Sequence, residues 1–474
     1  MRMEWFKPLL DKLYDSYSAR IIIIDKGSYS LYPEVAKALE KDFSVHFYKS
    51  ELELRSFLNN YSDSRILIIK LPEVRYLPYD IEQSSEIVHW READLFTTPF
   101  QPGEQKGKEH SKESDTFLSE IFNVSTEIDQ LLKEDEVAWG KISYLWGRLS
   151  FLRDKFFYSA IYSDNASTSE VEKVGENLEQ RLKEKFTYFI LNHYKNLFFK
   201  SVYHEPVTVD KVLPFLAPWT NNKLVLICMD GMGFQEWFCL REHLHNRGIS
   251  SFKEMHIFSL LPTVTEISRR ALFSGKKLLT ELPAEKKGFL EYMRQNADTG
   301  KDEAEFFLDK HPQLKQEYLA YDYLGIVFWL IDDLAHHTQG VEGDKVLMQQ
   351  NLEVILHKTE LDKIIKRFLE EDYKVIITSD HGSVSSQGIG MKQDKYLMNK
   401  RAKRACIFPN KQLAYDFLSN NESLYLYENE ELLDNNCAVF APWRGMFGNE
   451  GEKEITHGGI HLEEVVVPFV EVLK

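Results

Sequence analysis

Aspartate and histidine side chains recur in four short segments of the C-terminal half of this chain. The segments are VLICMDGMG with Asp230, IDDLAHH with Asp332 and His336, TSDHG with Asp380 and His381, and THGG with His457. Carboxylate oxygens and imidazole nitrogens are common ligands of divalent metal ions. The set is large enough for two ions, so the sequence predicts a binuclear metal site.

The first and third of these segments have the pattern of strand ends. Asp230 closes the apolar run 224–229, Asp380 follows the run 375–377, and a glycine comes within two residues of each aspartate. A continuous apolar run is typical of a buried parallel strand, and the glycine lets the chain turn. Because ligands of open α/β sheets bind at the carboxyl ends of strands, we expect the aspartates to meet at one sheet edge.

A fifth segment, LLPTVTEISRRALFSG, offers a hydroxyl group at Thr265, where a helical pattern begins. Backbone N–H groups at a helix N-terminus favour an anion. Coordination to a divalent ion lowers the pKa of a hydroxyl without a neighbouring base, so the segment predicts a metal-activated threonine nucleophile. Arg269 and Arg270, about one turn further on, are either ligands of a substrate phosphate or outward-facing partners in salt bridges.

The composition is typical of a soluble globular protein. Of the 474 residues, 43% are hydrophobic and 28% are charged,. No stretch approaches the roughly 18 apolar residues that span a bilayer, and we identify no export signal. Four cysteines without paired spacing indicate reduced thiols, so we predict a cytoplasmic protein without membrane contacts,. The net charge of −16 argues against broad, non-specific DNA binding,.

The length of the chain predicts two or three domains, since one domain usually takes about 100–200 residues. Strand and helix patterns alternate in residues 1–100, which predicts a small α/β domain with strands at 20–25, 44–48 and 65–69,. Residues 101–205 are a polar linker followed by helical periodicity, which indicates a helical spacer or bundle. Residues 206–474 alternate strands and helices and predict a doubly wound α/β domain.

Within the C-terminal domain, the apolar patterns predict strands at 224–229, 251–260, 325–331 and 374–378 and helices at 234–247, 266–273 and 345–371,. Two stretches, 276–321 and 383–438, interrupt this alternation near the active-site motifs. We expect both to form cap insertions over the site. The basic run 392–404 in the second stretch either faces the substrate or forms a solvated helix surface.

The ordered motifs resemble the alkaline phosphatase superfamily, and most closely its PglZ branch, from about residue 223 to the C-terminus. They are MDGMG, LPTVTEISRRALFSG, LIDDLAHH, TSDHGS and THGGIHLEEVVVPF. The resemblance implies an alkaline-phosphatase-like sheet and a two-metal site for phosphoryl transfer. The PglZ domain is known from phage-resistance systems of the BREX type and as an effector domain that cleaves nucleotide phosphodiesters.

The resemblance also implies a role for each residue, carried over by its position in the motifs. One metal ion would have the ligands Asp230, Thr265, Asp380 and His381, with Thr265 also the nucleophile. The other ion would have the ligands Asp332, His336 and His457. Mixed carboxylate and imidazole ligands suit Zn²⁺, while the large share of oxygen ligands also allows Mn²⁺.

Two details of the metal site stay open in the sequence. The pair Asp333 and His337 has the same i,i+4 spacing as Asp332 and His336, and we prefer the first pair because Asp332 directly follows the predicted strand. His461 occupies a position where the family usually has a small residue. It is a spare ligand, a general acid, or a surface or helix N-terminal histidine.

Together, the motifs predict a cytoplasmic, metal-dependent phosphohydrolase that acts on a phosphodiester or a nucleotide through Thr265. Its substrate would be a phosphoester, with a nucleotide or oligonucleotide as candidates, and its partners would be phage-defence proteins. One alternative is a sulfate-ester or phosphonate hydrolase on the same fold. Another is a scaffold or assembly factor of a defence complex whose metal site is structural or activated by a partner.

Overall fold

The computed structural model describes residues 10, 13, 20–25, 30, 33–60, 65–70, 77–90, 107–160, 167–219, 223–297, 303–337, 345–391, 402–419, 421 and 423–474. Their contacts divide the chain into two compact units, Met1–Lys108 and Glu109–Lys474. Among the described helices, none is both long and apolar enough to cross a membrane. The boundaries of three domains at 1–100, 101–205 and 206–474 stay predictions.

The smaller unit is built on a sheet of four parallel strands. They are β1 (Arg20–Asp25), β2 (Ser44–Phe47), β3 (Ile66–Lys70) and β4 (Glu86–Trp90), in the order β2-β3-β1-β4. Described helices of this unit are α1 (Pro33–Asp42), α2 (Glu51–Asn60) and α3 (Tyr79–Gln83). Ile21 and Ile23 face one apolar core and Ile22 faces another, as expected for a parallel sheet that is buried on both faces,. Strand β4 was missed in the sequence because EIVHW is short and largely exposed.

The larger unit contains a sheet of six strands. They are β5 (Leu224–Met229), β6 (Phe252–Phe258), β7 (Ala304–Asp309), β8 (Tyr323–Phe328), β9 (Lys374–Thr378) and β16 (Val466–Val472), in the order β6-β16-β9-β5-β8-β7. Strand β16 runs antiparallel to both neighbours, and the contacts of β5 with β8 and β9 are parallel. All residues of the inner strands β5 and β8 are buried, which explains their continuous apolar sequences,.

Helices surround this sheet and share its core. They are α4 (Gly107–Leu131), α5 (Trp139–Ala160), α6 (Ser167–Asn192), α7 (Val212–Leu216), α8 (Phe234–Asn246), α9 (Thr265–Ser274), α10 (Glu285–Asn296), α11 (Leu330–His337), α12 (Lys345–Leu356) and α13 (Leu361–Glu370). Helix α5 packs on α8, β6 and β16, and α10 packs on β7 and β8. The apolar residues of α4 to α6 therefore belong to the same core as the sheet.

Two three-stranded sheets complete the larger unit. One contains β10 (Val384–Gly388), β14 (Gly445–Met446) and β15 (Lys453–Thr456), and the other contains β11 (Ala405–Phe408), β12 (Tyr425–Tyr427) and β13 (Cys437–Phe440). The last helices are α14 (Lys411–Leu418), α15 (Glu430–Leu433) and α16 (Leu462–Val465). Short 3-10 helices span Tyr194–Phe199, Val209–Lys211, Ala217–Trp219, Leu279–Glu281 and Gln316–Ala320.

The doubly wound α/β prediction is confirmed, with differences in particular elements. The predicted strand 325–331 ends at Phe328, and helix α11 begins at Leu330. The predicted helix 345–371 is two helices, α12 and α13, with a turn at Lys358 and Thr359. The stretch 276–321, predicted as a cap, supplies the edge strand β7 of the main sheet. Most of the basic run 392–404 lies outside the described residues, which include only 402–404 of it.

The sheet allows a matched test of core packing. Ile227 is fully buried in the inner strand β5, whereas Leu308 in the edge strand β7 is 55% exposed. We expect Ile227→Ala to lower the free energy of unfolding by about 2–5 kcal/mol because it leaves a cavity. Leu308→Ala should change it by less than about 0.5 kcal/mol. Urea denaturation followed by circular dichroism measures both, and equal losses would contradict the assignment of β5 to the core.

Candidate metal centre

The carboxyl ends of β5, β8 and β9 meet at one edge of the main sheet. The register pairs Cys228 with Thr378, so Asp230 and Asp380 both lie two residues beyond this pair. Asp332 lies in the first turn of α11, the helix that follows β8, and its N–H group donates to the carbonyl of Asp230 over 3.1 Å. Parallel pairing therefore brings these aspartates together although they are separated by up to 150 residues in the chain.

Asp230, Asp380 and His381 form the first group with the geometry of a metal site. One ligand atom from each lies within 4.8 Å of the others. The Nε2 atom of His381 is 3.7 Å from Asp230 Oδ1 and 3.7 Å from Asp380 Oδ2. The Nδ1 atom of His381 lies 3.0 Å from the carbonyl of Gly382. Because a carbonyl only accepts, Nδ1 must donate, which directs Nε2 towards the carboxylates.

Asp332, His336 and His457 form a second group of the same kind. Asp332 Oδ1 is 3.2 Å from Nε2 of His336 and 3.8 Å from Nε2 of His457. His457 Nδ1 donates to the carbonyl of Thr263 over 2.8 Å, so its Nε2 also points into the site,. Apart from Thr265, all the predicted metal ligands therefore fall into two groups of three residues.

The two groups adjoin each other, and Thr265 lies beside them. The rings of His381 and His457 are stacked with centroids 4.0 Å apart. Thr265 is the first residue of α9, and its Oγ1 atom is 2.8 Å from Nε2 of His381. The hydroxyl predicted as the nucleophile therefore lies at a helix N-terminus, where a phosphate group is favoured.

Burial controls the charges of these side chains. Burial and the nearby Asp380 raise the pKa of Asp230 well above its ordinary value, against the charge of Arg269. Burial raises the pKa of Asp380 to about 6. Burial opposes ionisation of Asp332 as well, but the neighbouring imidazoles of His336 and His457 outweigh it and lower the pKa of this carboxyl group. Burial and the adjacent His381 lower the pKa of His457 to about 3, so His457 is a neutral imidazole at pH 7.

The donor atoms fit divalent cations. Among the described residues, Asp230 Oδ1, Asp380 Oδ2 and His457 Nε2 are buried and have no hydrogen-bond partner. Buried polar atoms normally have partners, so these atoms require an explanation. Carboxylate oxygens and neutral imidazole nitrogens are the donors that Zn²⁺ and Mn²⁺ accept, and a cation between them would also offset the buried negative charge.

Arg269 contacts two carboxylates in this structure. Its Nη1 atom contacts Asp230 Oδ2 at 2.5 Å, and its Nε atom contacts Glu285 Oε1 at 3.2 Å. Arg270 is partly buried and lies about 140° further round α9 than Thr265,. Binding of a substrate phosphate by either arginine stays a prediction.

Asp332 and Asp333, the aspartates of the two candidate pairs on α11, have different surroundings. Asp332 and His336 face His457, whereas the carboxylate of Asp333 forms an ion pair of 2.6 Å with Lys310. The side chain of His337 lies outside the described residues. This arrangement favours the preferred first pair as the metal ligands.

His461 has a structural role in this fold. Its Nδ1 atom accepts from the N–H group of Glu463 over 3.2 Å, at the N-cap of α16. Its ring packs on Trp443 with centroids 4.1 Å apart, and the residue is fully buried. His461 is therefore a helix N-terminal histidine, and it is buried and not on the surface.

The C-terminal part of the chain identifies its family. Residues 208–472 match the family described as the BREX system PglZ alkaline phosphatase-like domain. The match covers more than half of the chain, so the chain belongs to the PglZ family. This confirms the resemblance that was drawn from the five motifs.

Several solved structures share parts of this fold at low similarity. Murine ectonucleotide pyrophosphatase/phosphodiesterase 5 is 13% identical, with a TM-score of 0.36, over 52% of this chain and 87% of that chain. Phosphonoacetate hydrolase from Sinorhizobium meliloti 1021, solved with phosphonoformate, is 10% identical, with a TM-score of 0.34, over 53% of this chain and 90% of that chain. No curated protein matches the sequence.

The neighbouring aspartates of α11 provide a matched test of the metal ligands. We expect Asp332→Ala to lose about one bound ion per chain because it removes a donor from the second group. Asp333→Ala should keep the full metal content, since Asp333 pairs with Lys310. Inductively coupled plasma mass spectrometry of the purified, dialysed proteins measures the content. Loss of metal in Asp333→Ala alone would show that the other pair of residues holds the ion.

Proposed function

We propose that this chain is a metal-dependent phosphodiesterase or nucleotide phosphatase with Thr265 as its nucleophile. The observation that carries the proposal is the position of the Thr265 hydroxyl, 2.8 Å from His381 and next to two buried Asp/His groups. A hydroxyl at a helix N-terminus beside two candidate metal sites has the surroundings that in-line phosphoryl transfer needs.

In the proposed site, Asp230, Asp380 and His381 hold one divalent ion together with Thr265. Asp332, His336 and His457 hold the other. Divalent ions at these positions supply Lewis-acid chemistry, which lowers the pKa of a hydroxyl group and neutralises charge that develops on phosphate oxygens. Zn²⁺ is the ion that these donors suit best, with Mn²⁺ as the second choice.

The proposed reaction has two steps, each of which is a displacement at phosphorus. The Thr265 hydroxyl releases its proton to water, and its oxygen bonds to phosphorus while the bond from phosphorus to the leaving oxygen breaks. The leaving oxygen takes up a proton and departs, and a phosphothreonine remains. Water then attacks phosphorus, the bond from phosphorus to the Thr265 oxygen breaks, and the phosphate group is released as the Thr265 hydroxyl takes up a proton. The N-terminus of α9 favours the negative phosphate throughout, and Arg269 keeps the Asp230 carboxylate in place,.

The family to which the chain belongs supports a biological setting. A PglZ domain of the BREX type suggests a role in bacterial phage defence, with a nucleotide or oligonucleotide as the phosphoester substrate and defence proteins as partners. We propose a cytoplasmic location for the same reason. The intact pair of Asp/His groups weighs against a scaffold with a vestigial site, because such a site has no need for six converging metal donors.

Substitution of the nucleophile tests this chemistry. We expect Thr265→Ala to lower kcat by about 10³-fold or more, because the covalent route is lost. Thr265→Ser keeps a hydroxyl and should retain measurable turnover. In wild-type protein quenched during turnover, mass spectrometry should find a phosphorylated peptide that contains Thr265. A fully active Thr265→Ala protein would exclude the proposed nucleophile.

A substrate panel separates the related activities. We expect the zinc- or manganese-loaded protein to hydrolyse nitrophenyl phosphodiesters or phosphomonoesters faster than nitrophenyl sulfate or a phosphonate. The ratio of diester to monoester rates identifies the phosphoester class. Preferred cleavage of the sulfate or phosphonate would support the alternative hydrolase, and a metal-loaded protein without any turnover would support a scaffold or a partner-activated enzyme.

A further inference from the structure

The carboxylate of Glu464 connects three segments of the chain behind the metal centre. Its Oε1 atom accepts from the N–H group of His461 over 2.8 Å and from Nε of Arg404 over 3.0 Å. Its Oε2 atom accepts from the N–H group of Gly459 over 2.9 Å and from the hydroxyl of Thr263 over 3.2 Å. Glu464 is fully buried, and these bonds satisfy both oxygens,.

Arg404 forms a buried ion pair with the Glu464 carboxylate. It is also fully buried, and its Nη1 atom donates to Ser386 Oγ over 2.9 Å and to the carbonyl of Gly445 over 2.7 Å. Its Nη2 atom donates to the carbonyl of Trp443. A buried ion pair needs such additional bonds, because desolvation of the two charges costs several kcal/mol. The pair is therefore anchored to the small sheet of β10, β14 and β15.

The segments that Glu464 contacts carry candidate active-site groups. Thr263 lies two residues before Thr265, and its carbonyl accepts from Nδ1 of His457. The hydroxyl of Thr263 accepts from the N–H group of Gly458, so the loop after His457 and the loop before Thr265 are joined directly. Space is tight, since a Cβ atom on Gly459 would lie 2.7 Å from Arg404 Nε and 2.8 Å from Glu464 Oε1.

We propose that Glu464 and Arg404 are positioning residues that fix the orientation of His457 and the placement of Thr265. Glu464 has no contact with the metal-ligand atoms among the bonds described, and it acts through Thr263 and Gly459. The inference rests on the proposed metal site, and it assigns a function to the second glutamate of the HLEEV sequence. The neighbouring Glu463 differs, because its carboxylate accepts from Trp146 of α5 and from Arg444.

Zinc affinity provides a readout that does not depend on turnover. In Glu464→Gln, an NH₂ group replaces one carboxylate oxygen and faces groups that themselves donate hydrogen bonds. The hydrogen bonds that join the loops of Thr263 and Gly459 should therefore be lost. We expect the zinc affinity of the full chain, measured by competition with a chromophoric chelator, to fall by about 10–100-fold. The kcat of a phosphoester substrate should fall by a similar factor, with KM changed by less than about 3-fold.

The strand β16 contains a matched control. Glu471 forms a partly buried ion pair with Lys374 at the opposite end of the sheet from the metal centre. Glu471→Gln should therefore keep the wild-type zinc affinity and kcat. Thr263→Val is the second test variant, since it keeps the shape of the side chain but removes the hydroxyl that bonds Gly458 and Glu464.

The outcomes separate this inference from the proposed function. Weaker zinc binding in Glu464→Gln and Thr263→Val, with circular dichroism like that of the wild type, would support the positioning role. If Glu464→Gln does not fold, Thr263→Val decides alone. Folded variants that bind zinc as tightly as the wild type would overturn the inference even if their stability is lower. A wild-type chain that binds no zinc would contradict the proposed metal site itself, and the inference with it.

Discussion

Negative charge buried at one edge of the main sheet is the constraint on which this structure depends. Asp230, Asp332 and Asp380 converge there, and Arg269 is a cation in direct contact with one of them. Buried carboxylates are costly unless protons, hydrogen bonds or cations compensate them. Burial raises the pKa of Asp230 and of Asp380, so a proton or a cation stabilises these two carboxyl groups. Divalent ions offset the same charge while leaving the carboxylates ionised.

The ligands can converge only because the loops after the strands are held firmly. The glycine after the first aspartate, Gly231, has a φ of 78°, a conformation that other residues rarely adopt,. A Cβ atom on Gly382 would lie 2.0 Å from the carbonyl of Glu463, so only glycine allows this close approach between the loop after β9 and α16. The buried bonds around Glu464 join the remaining loops. Preorganised loops of this kind keep ligands oriented before a metal ion binds.

Strong sequence patterns predicted the parts of the fold that are buried on both sides. Strands β5 and β9 have the predicted bounds, because continuous apolar runs that end at Asp or Ser leave little ambiguity,. The end of β8 was misplaced because Leu330 and Ile331 continue the apolar run into the helix, so only backbone geometry separates them. Strand β7 was missed because its residues are only partly buried, as is usual at a sheet edge,.

The candidate ligands could be predicted because each lies in a short motif, but their supporting residues could not. Arg404 and Glu464 are 60 positions apart and carry no local pattern that indicates an ion pair. Arg404 was grouped in the sequence with a basic run expected to face substrate or solvent, yet it is fully buried. Long-range pairs of this kind depend on the tertiary fold, which local periodicity does not encode.

X-ray diffraction from zinc-soaked crystals, with data collected at the zinc absorption edge, would locate bound ions by their anomalous scattering. The proposed site leads us to expect two peaks at this sheet edge. One should be in contact with Asp230, Asp380 and His381, and the other with Asp332, His336 and His457. Peaks found only elsewhere, for example beside the buried His243 and its neighbour His357, would contradict the two-metal site.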